Sequence, residues 1–327
     1  MKLFSVLIVI YALVPGIGWA CDVCSPYYGI LPQDRSHQLS VNYLYTRLQG
    51  YHNIPNGVAD QPNPLFKTQH DPSLHQPGGP AKESAGLFAR ADYELYHTWE
   101  LSGRLWLGKR WQLGAAVPLR QTRAQVGQGT PTRLRTGLAD ARLGAWYYPL
   151  WTDTDSLSLQ LGLGAELQLP TGRFATQAPE ATALLQPGMA AWGGLGHLLL
   201  RLRYLRWGSQ LQLQYRHTAP NPDQIQYLGA FNGQWQLFYQ LGQRLRVLPS
   251  LGLAYEHTAG VSYRGEWLSG TGGRVLSGQV GASCYTGPVA WQLLLSRPIA
   301  QHYRGTQLGL GGRIQLGISY FIPSRRA

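Results

Sequence analysis

Between Leu157 and Leu169 the chain alternates without a break. Leu157, Leu159, Leu161, Leu163, Ala165, Leu167 and Leu169 take one set of positions, and Ser158, Gln160, Gly162, Gly164, Glu166 and Gln168 take the other. Successive side chains of a strand point to opposite faces. The segment is therefore a strand with one aliphatic face and one polar or glycine face. The pattern returns near the C-terminus, where Leu308, Leu310, Ile314, Leu316, Ile318 and Tyr320 oppose Gln307, Gly309, Arg313, Gln315 and Ser319. It returns again where Leu211, Leu213 and Tyr215 oppose Gln210, Gln212, Gln214 and Arg216, and where Leu245, Val247, Leu251, Leu253 and Tyr255 share one face.

A soluble β-sandwich also alternates, but its strands run to about 5 or 6 residues. Alternation here predicts about twelve longer ones: 37–48, 87–107, 111–124, 137–149, 156–169, 188–204, 209–217, 229–240, 244–256, 274–286, 289–297 and 306–322. Links after even-numbered strands are short, such as Gly108-Lys109-Arg110 and Gly287-Pro288. Those after odd-numbered strands are long: 49–86, 125–136, 170–187, 218–228, 257–273 and 298–305. Short turns at one rim and long loops at the other are the layout of a transmembrane, antiparallel, up-and-down β-barrel. Closure leaves no unpaired edge in lipid, and an even strand count puts both ends of the barrel at the short-turn, periplasmic rim. The long 49–86 loop, with His52, His70 and His75, reads by default as flexible surface, with a lid or an inward-folding plug as the alternatives.

Composition agrees with an all-β membrane protein. Only 13% of the 327 residues are charged, while 40 are Gly, 11 Trp and 19 Tyr. The mean hydropathy is −0.19. A disordered chain would be poor in aromatics, and a helical membrane protein would carry several apolar runs of about 20 residues. Many of the aromatics, Trp99, Trp106, Trp111, Trp146, Tyr148 and Trp291 among them, fall near the ends of the predicted strands. That is where amphipathic rings meet the membrane–water boundary.

Lys2, the apolar run Leu3 to Val14, Pro15-Gly16 and Gly18-Trp19-Ala20 read as a secretory signal peptide cut after Ala20. The expected organisation is a signal peptide at 1–20, a periplasmic segment at 21–36, an outer-membrane barrel at 37–322 and a tail at 323–327. The formal charge of +12 comes largely from Arg spread singly along the chain. Scattered Arg suits a channel lining or anionic lipid head groups rather than nucleic acid.

With the aliphatic faces toward lipid, the opposite faces line the lumen. The early strands supply Arg90, Asp92, Glu94, Glu100, Arg104 and Arg120. The middle strands add Asp140, Arg142, Glu166, His197, Arg201 and Arg203, and the later ones Arg216, Glu256 and Arg313. Mixed signs can pair across strands or form a charged path for a solute. Cys284 falls on the lipid face. Cys21 and Cys24 form Cys-Asp-Val-Cys at the start of the mature chain. In an exported protein the pair reads as a disulfide or as part of a soft-metal site for copper or zinc, and Cys21 is also an acylation candidate. Tyr27, Tyr28, Ile30 and Leu31 argue that this segment packs at the periplasmic mouth. No HExxH, Gly-x-Ser-x-Gly or phosphate loop is present, and His97, outward beside Trp99, has no serine clearly on its face. The chain does not read as an enzyme.

Two stretches resemble known families. Cys21-Asp22-Val23-Cys24 followed by Gly29-Ile30-Leu31-Pro32-Gln33 resembles the N-terminus of a group of outer-membrane transporter-like proteins. Ser25-Pro26 stands where that group usually has Gly-Cys. Leu138-Ala139-Asp140-Ala141-Arg142-Leu143-Gly144, Gly162-Leu163-Gly164, Leu169-Pro170-Thr171-Gly172 and Gln186-Pro187-Gly188 are similar to the outer-membrane channel family of meta-pathway phenol degradation. That resemblance implies a porin-like barrel admitting small hydrophobic or aromatic compounds. The expected function is a monomeric channel that passes or binds a small solute in the outer membrane of a Gram-negative bacterium. Its partners would be membrane lipid and that solute, with no nucleic acid. The alternative is a structural or partner-binding barrel with a filled lumen.

Overall fold

A computed structural model of the chain describes residues 35–53, 92–125, 132–175, 185–242 and 245–323. Sixteen strands follow one another: β1 (Ser36–His52), β2 (Tyr93–Leu107), β3 (Trp111–Gln125), β4 (Arg133–Leu138), β5 (Arg142–Asp153), β6 (Leu157–Gln168), β7 (Gly193–Tyr204), β8 (Trp207–Thr218), β9 (Ile225–Tyr227), β10 (Ala230–Tyr239), β11 (Leu245–Thr258), β12 (Val261–Tyr263), β13 (Glu266–Trp267), β14 (Gly273–Thr286), β15 (Val289–Tyr303) and β16 (Gln307–Pro323). β4 and β5 lie end to end against β3, so together they make one stave. Each stave pairs with its sequence neighbours, and β1 closes the circle on β16. The result is a closed antiparallel barrel of twelve staves. β9, β12 and β13 form a separate small sheet within the long connections.

The two faces separate as the alternation requires. Leu39 is 51% exposed and its neighbour Ser40 only 4%. In β6, Leu163 and Leu167 lie outside while Ser158, Gln160, Glu166 and Gln168 are buried. Cys284 stands on the outward face of β14 between buried Ser283 and Tyr285. At the short-turn rim, Gly108 and Gly287 adopt φ of 65° and 57°, a left-handed conformation that glycine reaches without a Cβ clash.

The glycines on inward faces have a packing reason. A Cβ on Gly162 would lie 2.8 Å from the Tyr148 ring, and one on Gly114 2.7 Å from the Trp146 indole. Gly164 faces the same indole more closely still, and Gly208 houses the Phe238 ring. The lumen near the short-turn rim is thereby filled by two aromatic clusters. One joins Trp106, Trp146 and Tyr148 with Trp151 and Leu199. The other joins Phe238, Leu248, Tyr285, Ala290 and Phe321.

These clusters correct the expectation that Trp106, Trp146 and Tyr148 belong to the outer aromatic belt. They share parity with inward Arg104 and Arg142, and the exposed Leu105, Leu107 and Leu143 between them face lipid. Leu310 was expected on the lipid face but is buried against Val275. A register shift of β16 on β1 between Arg47 and Leu48 reverses the alternation there. The strand expected at 137–149 is broken at Ala139–Ala141 and extends at both ends. The strand expected at 188–204 begins at Gly193, and β1 continues through Gln49 to His52, where the sequence was read as loop. Residues 54–86 of that loop and residues 1–34 lie outside the described residues.

Candidate functional site

The inward charges converge at mid-lumen, above the aromatic clusters. Arg142 on β5 forms an ion pair with Glu100 on β2, and its Nε lies 3.7 Å from Glu166 on β6. Glu166 in turn lies 3.3 Å from His197 Nε2 on β7. One guanidinium thus sits between two carboxylates that are buried. Buried charge is tolerable only when paired in this way. A second pair, Arg313 with Glu256, reaches from β16 to β11 past two intervening staves.

The other lining residues among those described also face inward, with distinct local roles. Arg104 lies over the Trp146 ring at 5.2 Å and Arg201 over Phe238 at 5.5 Å, so each aromatic cluster is capped by a cation. Arg203 donates to the Leu205 carbonyl at 2.8 Å and sits 3.5 Å from Asp153, fixing the short-turn rim. Toward the other end, Asp92 accepts from the Tyr51 hydroxyl at 2.9 Å and Glu94 from Tyr96 at 2.6 Å.

Asp140 sits in the break between β4 and β5. It accepts from the backbone N–H of Met189 at 2.7 Å, that of Gly172 at 2.9 Å and Gln168 Nε2 at 3.2 Å. Here the wall is not a ladder. Arg173 N–H donates to the Leu138 carbonyl at 2.7 Å, and Gly188 N–H to the Arg173 carbonyl at 3.2 Å. Gly172 and Gly188 pack backbone to backbone, closer than any Cβ would permit. The carboxylate therefore ties two irregular segments to the end of the stave.

Beside this seam lies an opening of about 670 Å³, part of it continuous with solvent. Glu100, Arg120, Asp140, Arg142 and Arg216 supply its charges, and Asn42, Thr98, Gln168, Pro187, Met189 and Gln315 further lining. The sequence reading had named all five charged residues. Gln168 and Gln315 fall on the polar faces read from the alternation, and strand parity puts Asn42 and Thr98 inside as well, although the sequence reading names neither of those two. Pro187 and Met189 carry no such signal, because the segment before β7 is irregular. Arg90, Cys21 and Cys24 lie outside the described residues. Among the described residues no cluster of three or more His, Cys, Asp or Glu is placed to hold a metal. His97 faces outward, its Nδ1 2.8 Å from the Tyr43 hydroxyl.

The COG4313 outer membrane channel from Pseudomonas putida F1 superposes on this chain with a TM-score of 0.65, over 92% of this chain and 100% of that one, at 15% identity. The chain shares the barrel fold of that protein. LpxR from Salmonella typhimurium matches at a TM-score of 0.42 and 15% identity, over 87% of this chain and 100% of that one. KdgM porin matches at 0.37 and 11%, over 86% and 98%. No protein-family model and no curated protein matches the chain.

Proposed function

We propose that this protein is a monomeric channel of the Gram-negative outer membrane that passes a small solute through a charged, partly filled lumen. The observation that carries the reading is the opening bounded by Arg120, Arg142, Arg216, Glu100 and Asp140 inside a closed wall. Paired charges held on rigid staves select by size and sign without reorganising as a solute passes. A single chain supplies all twelve staves, so closure needs no second copy. Three guanidiniums against two carboxylates at the opening favour anions.

Reconstituted liposomes test this reading. Swelling in small organic anions and sugars, faster than in protein-free liposomes and slowing with solute size, is the expected result. Liposomes that stay impermeable to every small solute would overturn it. One observation favours a second reading, in which the barrel is structural and binds a partner. The two aromatic clusters occupy the lumen toward the short-turn rim, and if they seal it, no solute passes.

A further inference from the structure

The charged residues of the staves are sorted by sign. Asp92, Glu94, Glu100, Asp140, Glu166 and Glu256 are all buried toward the lumen. Of the other described acids, Asp153 ends β5 at the short-turn rim opposite inward Ser158, and Asp155, Asp223 and Glu266 lie in the turns or the long connections. Among the described residues no carboxylate stands on the lipid-facing surface. Four arginines do: Arg47, Arg123, Arg274 and Arg297, each exposed and in phase with outward neighbours such as Val41, Leu119, Val280 and Leu295. Arginine on a lipid face is costly at depth, so their positions must offer compensation.

Their distribution is one-sided. β14, β15, β16, β1, β2 and β3 are consecutive around the barrel, and all four arginines are on them. Every one lies in the half of its stave toward the long loops. Register brings three into a row. Arg47 and Arg123 both stand directly opposite Leu95, one on each side of β2. Gly312 opposes Arg47 on the other flank, and Arg297 follows the Ser296–Arg313 pair, beside that glycine. Neighbouring arginines of the row are therefore two strand spacings apart, about 9.5 Å. Gly312 leaves the space between Arg297 and Arg47 free of side chains.

An aromatic layer sits on the same staves one step deeper. Tyr43 lies 5.5 Å from Trp99 and Tyr45 5.2 Å from His97, measured between ring centres. Such rings mark the boundary between acyl chains and head groups. Below them Val41, Leu101, Val117 and Ile318, in register with one another, offer an apolar surface. Cations above, rings at the boundary and aliphatic side chains below complement an amphiphile with anionic head groups. Guanidinium forks match phosphate oxygens in geometry and charge.

We propose that this face binds the phosphate groups of a phosphorylated glycolipid of the outer leaflet through Arg47, Arg123, Arg274 and Arg297. The proposal rests on the outer-membrane reading above, because it needs an anionic leaflet at the long-loop side. The test uses the full-length protein in phosphatidylcholine nanodiscs doped with bis-phosphorylated lipid A, or with the same lipid after dephosphorylation. Retention of lipid by the extracted protein is read by native mass spectrometry. Wild type should retain the phosphorylated lipid at least about tenfold better than the dephosphorylated one. The variant Arg47→Gln/Arg123→Gln/Arg274→Gln/Arg297→Gln should lose that preference while keeping heat-modifiable gel mobility and wild-type solute flux. If this variant does not fold, Arg47→Gln/Arg297→Gln should lose at least half of the preference. Equal retention of both lipids by wild type, or a variant that keeps the preference, would overturn the proposal. So would inorganic phosphate competing as well as the lipid, which would make the site one for free phosphate. The flux assay, read on the same samples, reports separately whether the channel reading holds.

Discussion

Leu163→Arg places a guanidinium where the lipid face is deepest. Leu163 is exposed on the outward face of β6, opposite Tyr147 and Leu198. It lies six positions (163 − 157) above Leu157, the first residue of that strand. At about 3.3 Å per residue and about 40° of tilt, that is roughly 15 Å above the short-turn rim. The apolar band of such barrels is about 25 Å tall, so Leu163 falls near its middle, where Arg costs about 2–4 kcal/mol. Leu157→Arg, on the same face of the same strand, falls at the rim, where the cost is about 0–1 kcal/mol. The folding equilibrium should therefore shift by about 30- to 700-fold for Leu163→Arg and by less than about sixfold for Leu157→Arg. Reversible denaturant unfolding in lipid vesicles, followed by Trp fluorescence, measures both. Equal costs at the two depths would refute the face assignment, and with it the division into lipid-facing and lumen-facing residues.

Three further outcomes follow from the interior. Gly164→Val should press a branched side chain into the Trp146 indole, costing about 1–3 kcal/mol of stability in the same unfolding assay with a changed near-UV aromatic signal. Asp140→Ala should leave the Gly172 and Met189 amides without their acceptor, costing about 1–3 kcal/mol. It should also make residues 169–175 cleavable by protease in detergent, while Asp140→Asn is milder. Arg120→Glu/Arg216→Glu should reverse the sign of the charge excess at the opening and move the zero-current potential in a salt gradient toward cation preference, with gel mobility unchanged.

Period-two alternation was enough to read the closed barrel and the inward charges, because a strand that spans lipid must hide every polar group on one side. The same parity would have put Trp106 and Trp146 inside, since Leu105 and Leu107 flank the first and Leu143 shares the outward face near the second. Proximity to strand ends was the weaker signal and led outward instead. Leu310 could not be read that way, because the register shift near Arg47 reverses the phase without any mark that alternation detects. Nor could the break at Ala139–Ala141, which depends on Asp140 meeting amides from segments thirty to fifty residues later. Which carboxylate meets which arginine is a matter of register between strands. Glu100, Arg142 and Glu166 were each legible as inward, but their convergence was not.

Passage of a small solute through the partly filled barrel is tested most directly by single-channel recording in planar bilayers. The full-length protein should give discrete, reproducible conductance steps, small because the aromatic clusters narrow the lumen toward the short-turn rim. Trp106→Ala/Trp146→Ala should enlarge those steps by opening that end. Silent bilayers across salts and voltages for both wild type and that variant, with correctly folded protein inserted, would contradict the account.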